Sequence, residues 1–404
     1  MSSEQIPTEP IPSEPIPTEP IPSEPIPTEQ WPAWLPIRDD LRGERAYGAP
    51  QLDVAVRLNT NENPFSLPAI VVEDIQREIS AVAANLNRYP DRDATALREA
   101  LTGYLGSQGA SGITPENVWA ANGSNEIIQQ LFMAFGGRDR RAIGFLPSYS
   151  MHANIARSTQ TVWVDGTRAS SFSLTAESIV QQAQNSSADL VFLTSPNNPT
   201  GTSLDSNIIA TVAAALPETL IIVDEAYGEF LRDPRQTALA LLSKMHNVVV
   251  SRTMSKAFGL AGARLGYLAA DTSVVKAIQL VRLPYHLGSH TQAIALVALR
   301  HAPLLLQNVE RIKGERNRIV LELEQMGLLP EASDANFVLF GGLHDSGEIW
   351  AELVARGVLI RDVGLAGMLR VTAGTTEETT IFLDSLKTIL GAHGSTVPQD
   401  ESKG

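Results

Sequence analysis

Residues Leu190 to Gly201 read Leu-Val-Phe-Leu-Thr-Ser-Pro-Asn-Asn-Pro-Thr-Gly, and Leu220 to Tyr227 read Leu-Ile-Ile-Val-Asp-Glu-Ala-Tyr. In each stretch a short apolar run stops abruptly at polar and turn-forming residues. Runs without polar alternation are the pattern of strands buried on both faces. Comparable runs occur at Val118–Ala121, Ala142–Leu146 and Val248–Val250, and helical periodicity lies between them, as at Glu126–Phe135 and Ser206–Ala215. Strand alternating with helix predicts an α/β fold with a mainly parallel sheet covered by helices on both faces. After about Ser289 the texture changes to long helices (Thr291–His301, then Leu304–Met326), with short strands near Asn336–Phe340 and Leu369–Thr372. The expected organisation is a disordered Pro/Glu repeat tail (1–30), an N-terminal segment joining the small domain (31–70), a large domain (71–289), a smaller α+β domain (290–392) and a flexible tail (393–404).

In open α/β sheets, ligands bind beyond the carboxyl ends of the strands. Asn122-Gly123-Ser124-Asn125 follows the first run and opens a helix, where free backbone amides and the helix dipole favour an anion. Pro147-Ser148-Tyr149 follows the second, Asn197-Asn198 the third, and Asp224 with Tyr227 the fourth. After the fifth come Thr253, Ser255 and Lys256, with Arg264 eight residues on. These strand ends therefore supply an anion site, an aromatic, an amide, a carboxylate with a tyrosine, and a lysine with hydroxyls and an arginine. A phosphorylated aromatic aldehyde with a ring nitrogen matches that set.

Composition removes several other chemistries. The 404-residue chain has no cysteine, which excludes disulfides, Cys-based zinc sites, iron–sulfur clusters and thiol catalysis. Its formal net charge is −14, and a basic face for nonspecific nucleic-acid binding is not expected. Six glutamates and no basic residue lie in the repeat tail, which leaves the body at about −8. No apolar stretch reaches transmembrane length and no secretory pattern opens the chain, so cytoplasmic residence is the expectation. The seven histidines form no ligand-spaced cluster, and no metal is expected. No Gly-x-Gly-x-x-Gly opens a helix, which disfavours a dinucleotide-dependent dehydrogenase.

Taken together, Ser195 to Gly201, Asp224 to Tyr227, and Ser255-Lys256 with Arg264 resemble the fold-type I pyridoxal-phosphate (PLP) aminotransferases. The spacing is also similar: 26 positions separate Asn198 from Asp224 and 32 separate Asp224 from Lys256. The resemblance covers most of the body, from Asn59 to about Gly374. Within that family, Leu58-Asn-Thr-Asn-Glu-Asn-Pro64, Arg88-Tyr-Pro-Asp91, Arg282-Leu-Pro-Tyr-His286 and Leu359-Ile-Arg-Asp-Val-Gly364 are similar to the histidinol-phosphate aminotransferases.

Lys256 follows an apolar strand and sits among Met254, Ala257, Phe258 and Leu260, where desolvation lowers an ammonium pKa. The resemblance implies that it is the Schiff-base lysine of a large PLP-binding domain. By the same resemblance Asp224 pairs with the pyridine nitrogen, and Tyr227 and Asn198 bond the ring's phenolic oxygen. Tyr149 stacks on the ring, while Ser124, Asn125, Thr253, Ser255 and Arg264 form the phosphate cup. The family often carries Asp where Asn125 stands, which leaves that side chain's role open. Tyr89 is implied to reach the phosphate from the other subunit of a homodimer. Arg361 and Arg370 are implied to hold the substrate's anionic groups, with Asn61 and Asn336 lining the pocket.

The activity implied is exchange between L-histidinol phosphate plus 2-oxoglutarate and imidazole-acetol phosphate plus L-glutamate, a step of histidine biosynthesis. An aromatic amino-acid aminotransferase and a PLP-dependent threonine-phosphate decarboxylase share such a site and stay open. A PLP-sensing transcription regulator would need a helix-turn-helix ahead of residue 60, where this chain has an acidic Pro-rich tail.

Overall fold

The computed structural model describes residues 31–43 and 48–393. The repeat tail expected at 1–30 and residues 394–404 of the expected C-terminal tail lie outside the described residues. The chain divides into two units, Met1–Asp53 and Val54–Gly404. The described part of the first holds a single 3-10 turn, Asp39–Leu41, with an Arg38–Asp40 ion pair.

The second unit is built on a seven-stranded sheet. Its strands in chain order are β1 (Val56–Arg57), outside this sheet, then β2 (Val118–Ala121), β3 (Arg141–Leu146), β4 (Val162–Thr167), β5 (Leu190–Thr194), β6 (Leu220–Asp224), β7 (Val248–Thr253) and β8 (Gly266–Ala269). The spatial order is β2-β8-β7-β6-β5-β3-β4. The five strands from β4 to β7 run parallel, and β8 enters antiparallel to both β7 and β2.

Side-chain alternation explains why the central strands are apolar throughout. Leu190 and Phe192 of β5 join one apolar cluster with Ile222, Val249 and Leu268, whereas Val191 and Leu193 join the other with Val223 and Val250. Helices Ser124–Phe135 and Thr272–Val281 cover the first face through Ile128, Leu131, Val274 and Ile278. Helices Thr95–Ser107, Ala176–Asn185 and Ser206–Ala215 cover the second through Leu101, Ile179 and Ile209. Several helix starts are fixed by local chemistry: the Thr175, Asp205 and Asp271 side chains each accept a backbone N–H of the first turn.

The remaining strands are β9 (Leu329–Pro330), β10 (Phe337–Gly341), β11 (Val358–Leu359), β12 (Arg361–Asp362) and β13 (Leu369–Thr372). An antiparallel sheet of order β12-β13-β10-β9 forms the smaller α+β part, and β1 pairs in parallel with β11. Residues from Val54 onward thus bring the N-terminal segment onto these strands: Leu58 donates its N–H to Leu359 and accepts from Thr372.

Two sequence expectations change in detail. The β7 strand runs through Thr253, so Ser251, Arg252 and Thr253 are strand residues rather than a following loop. The long helix expected from Leu304 to Met326 is broken near Leu306 into Ala302–Leu305 and Gln307–Gln325.

Candidate active site

The two-residue period of β6 decides where its polar end points. Ile222 faces the cluster under helix Ser124–Phe135, and so does Asp224 two residues on; Glu225 turns the other way. Asp224 is 2% exposed. Its Oδ2 lies 3.1 Å from His152 Nε2, and its Oδ1 has no hydrogen-bond partner among the described residues. Burying a carboxylate oxygen without a donor is costly. A protonated ring nitrogen would supply the missing donor, so the site fits a pyridinium cofactor. His152 is held in turn by an edge-on contact to Tyr149, with ring centroids 5.4 Å apart. Sequence reasoning missed His152. Nothing in the sequence marked it: it lies in the first turn of helix Met151–Ser158, 72 residues from Asp224.

On the opposite face, Glu225 forms a buried network with Arg252, Thr237 and Glu229. Arg252 Nη2 donates to Glu225 Oε2 at 2.7 Å, and Arg252 Nη1 to Glu229 Oε1 at 3.2 Å. Burial opposes its charge, yet the two carboxylates raise the guanidinium above its ordinary pKa. This pairing ties the ends of β6 and β7 together beneath Asp224 and Thr253.

Lys256 follows β7 and is half-buried. Its Nζ donates to Thr60 O at 2.8 Å. Burial first, then Arg370 and Arg264, lower its pKa from 10.5 to about 8, while Glu62 acts in the raising direction. Beside it, Asn61 Nδ2 donates to Tyr227 Oη at 2.9 Å, and Asn336 Nδ2 donates to Asn61 O at 3.1 Å. Asn336 Oδ1 is buried without a partner among the described residues.

The residues expected to form an anion cup lie around the start of helix Ser124–Phe135. The first amides of a helix have no carbonyl four residues back to receive them. A Cβ on Gly123 would lie 2.6 Å from Arg264 Nη2, and one on Gly266 would lie 2.2 Å from the Ser124 nitrogen. The two glycines therefore let Arg264 and β8 close onto the helix start. Arg264 itself has φ +56, a left-handed backbone uncommon outside glycine. Thr253 Oγ1 bonds Ser255 Oγ at 3.0 Å, and Tyr149 Oη donates to Asn125 Oδ1 at 3.3 Å.

Arg370 lies within β13 and is buried, not on the surface. Its Nη1 donates to Asn198 Oδ1 at 2.5 Å and its Nη2 to Asn59 O at 2.7 Å. Arg361 stands directly opposite it in the β12–β13 register and is half-buried. Tyr89 is not bonded into this cluster: it is 80% exposed and stacks on Tyr285 with centroids 4.5 Å apart. The structure thus gathers Asn61, Tyr227, Lys256 and Asn336 in one group, and Asn125, Tyr149 and Asp224 in another through His152. It leaves Tyr89 on the surface. Elsewhere, Glu348, Glu352 and His393 place ligand-capable atoms within 4.8 Å of one another near the surface, where His393 pairs with Glu352.

A half-buried amine of lowered pKa, a buried acid short of one donor and a helix start flanked by an arginine are compatible with an amine-transferring enzyme. Over residues 54–386 the sequence matches the family Aminotransferase class I and II, and the chain belongs to it. Among its relatives, the histidinol-phosphate aminotransferase of Paenarthrobacter aurescens (strain TC1) is 54% identical over 358 residues, covering 88% of this chain and 95% of that protein. The histidinol-phosphate aminotransferase of Thermobifida fusca (strain YX) is 54% identical, covering 88% of this chain and 96% of that protein. Among solved structures, the Sinorhizobium meliloti histidinol-phosphate aminotransferase in complex with pyridoxal-5'-phosphate superposes with TM-score 0.75 at 25% identity, covering 84% of this chain and 92% of that one. No described helix is long and apolar enough to cross a membrane.

Proposed function

We propose that this protein is a PLP-dependent aminotransferase that exchanges L-histidinol phosphate and 2-oxoglutarate with imidazole-acetol phosphate and L-glutamate. The unsatisfied Asp224 Oδ1 carries the cofactor reading. Identity of 54% to histidinol-phosphate aminotransferases over nearly their whole length supports the substrate.

When bound, PLP supplies an aldehyde that captures the donor's amine and a ring that takes up the electron pair released at the substrate carbon. With the cofactor bound, Lys256 and Asp224 would hold opposite ends of its ring. Asp224 Oδ1 would keep the ring nitrogen's proton in place, with His152 orienting the carboxylate. Tyr227 and Asn198 would bond the cofactor's phenolic oxygen, and Tyr149 would pack against its ring. Ser124, Asn125, Thr253, Ser255 and Arg264 would hold the phosphate, with Arg264 as its charge partner. A pKa of about 8 leaves Lys256 partly as free amine near neutrality, so its Nζ would take the proton from the substrate carbon and deliver it to the carbon that began as the cofactor's aldehyde. Arg370, with Arg361 opposite, holds the donor's phosphate or the α-carboxylate of glutamate; Asn61 and Asn336 line the pocket. The reading includes a cytoplasmic homodimer in which each Tyr89 completes the partner's site, and division of the body at about residue 290 into large and small domains.

The test is a set of side-by-side rates with histidinol phosphate, phenylalanine and threonine phosphate, with 2-oxoglutarate as acceptor. Release of imidazole-acetol phosphate with stoichiometric glutamate is expected. A preference above about tenfold for phenylalanine, equivalent to about 1.4 kcal/mol in transition-state binding, would overturn the substrate assignment.

A further inference from the structure

One carboxylate at the rim of the site is unused by the roles above. Glu62 stands between Asn61, whose amide donates to Tyr227, and Asn63, whose Nδ2 donates to Ala257 O at 3.1 Å. Two residues earlier, the Thr60 carbonyl accepts from Lys256 Nζ at 2.8 Å, and the Thr60 hydroxyl donates to Glu62 Oε2 at 3.1 Å. The segment is therefore pinned to Lys256 and to the residue after it, with Asn61 in the left-handed region at φ +55. Glu62 is exposed, in contrast to its buried neighbour Asn61. It is an acid in otherwise cationic surroundings: Arg370 and Arg264 lower the Lys256 pKa, and Glu62 acts against them.

We propose that Glu62 is a specificity residue that accepts a hydrogen bond from the imidazole N–H of the amino donor. The inference rests on the histidinol-phosphate reading and deepens it. That donor has two unlike ends. Its phosphate ester calls for cations, which Arg361 and Arg370 supply. Its imidazole offers an N–H and, when protonated, a positive charge, which a carboxylate suits. Phenylalanine presents a ring of similar size with no donor, and a site built to bond an N–H rejects the analogue that lacks one. The side chain of glutamate brings a second carboxylate, which Glu62 repels. Glu62 thus favours one of the two amino substrates.

The experiment uses PLP-loaded wild type, Glu62→Gln and Glu62→Ala, with single-turnover rates for each amino substrate and equilibrium binding of an amine-free imidazolyl-alkyl phosphate. Both variants are expected to lose about tenfold or more in the histidinol-phosphate half-reaction and a comparable factor in binding the amine-free probe. The glutamate half-reaction is expected to stay within about twofold or to accelerate. Equal losses in both half-reactions would overturn the proposal and assign Glu62 to the support of Lys256. Unchanged histidinol-phosphate rates in the variants would overturn it alone. A wild type inactive toward histidinol phosphate would overturn the functional reading and this inference together.

Discussion

Asp224 Oδ2 meets His152 Nε2 at 3.1 Å, while Asp224 Oδ1, on the same buried carboxylate, meets no partner among the described residues. One oxygen is held by the protein and the other waits for a donor. Replacing the acid by its neutral isostere keeps the shape and removes the charge. Asp224→Asn is expected to lower kcat on the order of a hundredfold or more, as for loss of a preorganised electrostatic partner. His152→Asn, which loosens the carboxylate without removing it, is expected to cost about tenfold or less. Steady-state kcat with cofactor in excess checks both.

Lys256 is depressed by burial and by its cationic neighbours to about 8. Only the free amine attacks an aldehyde. The rate at which cofactor-free protein captures PLP should therefore climb about tenfold per pH unit below that value and level off above it. Stability carries the matching sign. Between about 8 and 10.5 the folded lysine has lost its proton and the unfolded one has not, so the unloaded protein gains stability as pH rises through that window. Lys256→Ala is expected to abolish covalent capture, read by mass, and turnover. A variant that transaminates at the wild-type rate would refute the assignment.

A methyl group on Gly266 would sit 2.2 Å from the Ser124 nitrogen and 2.3 Å from the Gly123 carbonyl carbon, both backbone atoms that have no rotamer to yield. Gly266→Ala is expected to push the helix start away from Arg264. The predicted outcome is a stability loss of about 1–3 kcal/mol together with weaker PLP retention. Denaturant midpoints and a cofactor titration measure the two effects separately.

Tyr89 is largely exposed within its own chain. If it serves the partner's site, Tyr89→Ala and Lys256→Ala chains should each be nearly inactive alone and complement when mixed. Random reassociation makes half the dimers mixed, each with one intact site, so recovery of about a quarter of wild-type activity is expected. No recovery, with mixed dimers demonstrated by tagged co-purification, would place Tyr89 in its own chain's site or outside both.

Legibility followed sequence separation. Asp224 could be read because it closes an apolar run and Lys256 because it follows one, and a polar group at or just past a strand end marks a site before any contact is known. His152 could not be paired with Asp224 from the sequence: 72 residues separate them, and only the side-by-side placement of strands brings them together. The Arg370–Asn198 bond spans 172 residues and the Asn336–Asn61 bond 275. β8 (Gly266–Ala269) is not anticipated from the sequence, and its antiparallel entry beside β7 is a matter of sheet order.

The amino-acid order alone determined the alternation of strand and helix, the face to which Asp224 turns, and the kinds of chemistry gathered at the strand ends. Those properties arise from local periodicity and from what cannot be buried unpaired. Only the tertiary structure decided that one oxygen of Asp224 lacks a donor, that Arg370 is bonded to Asn198, and that Glu62 stands at the rim beside Lys256. Each depends on distances between segments remote in the chain, and such distances exist only once the sheet has set its order.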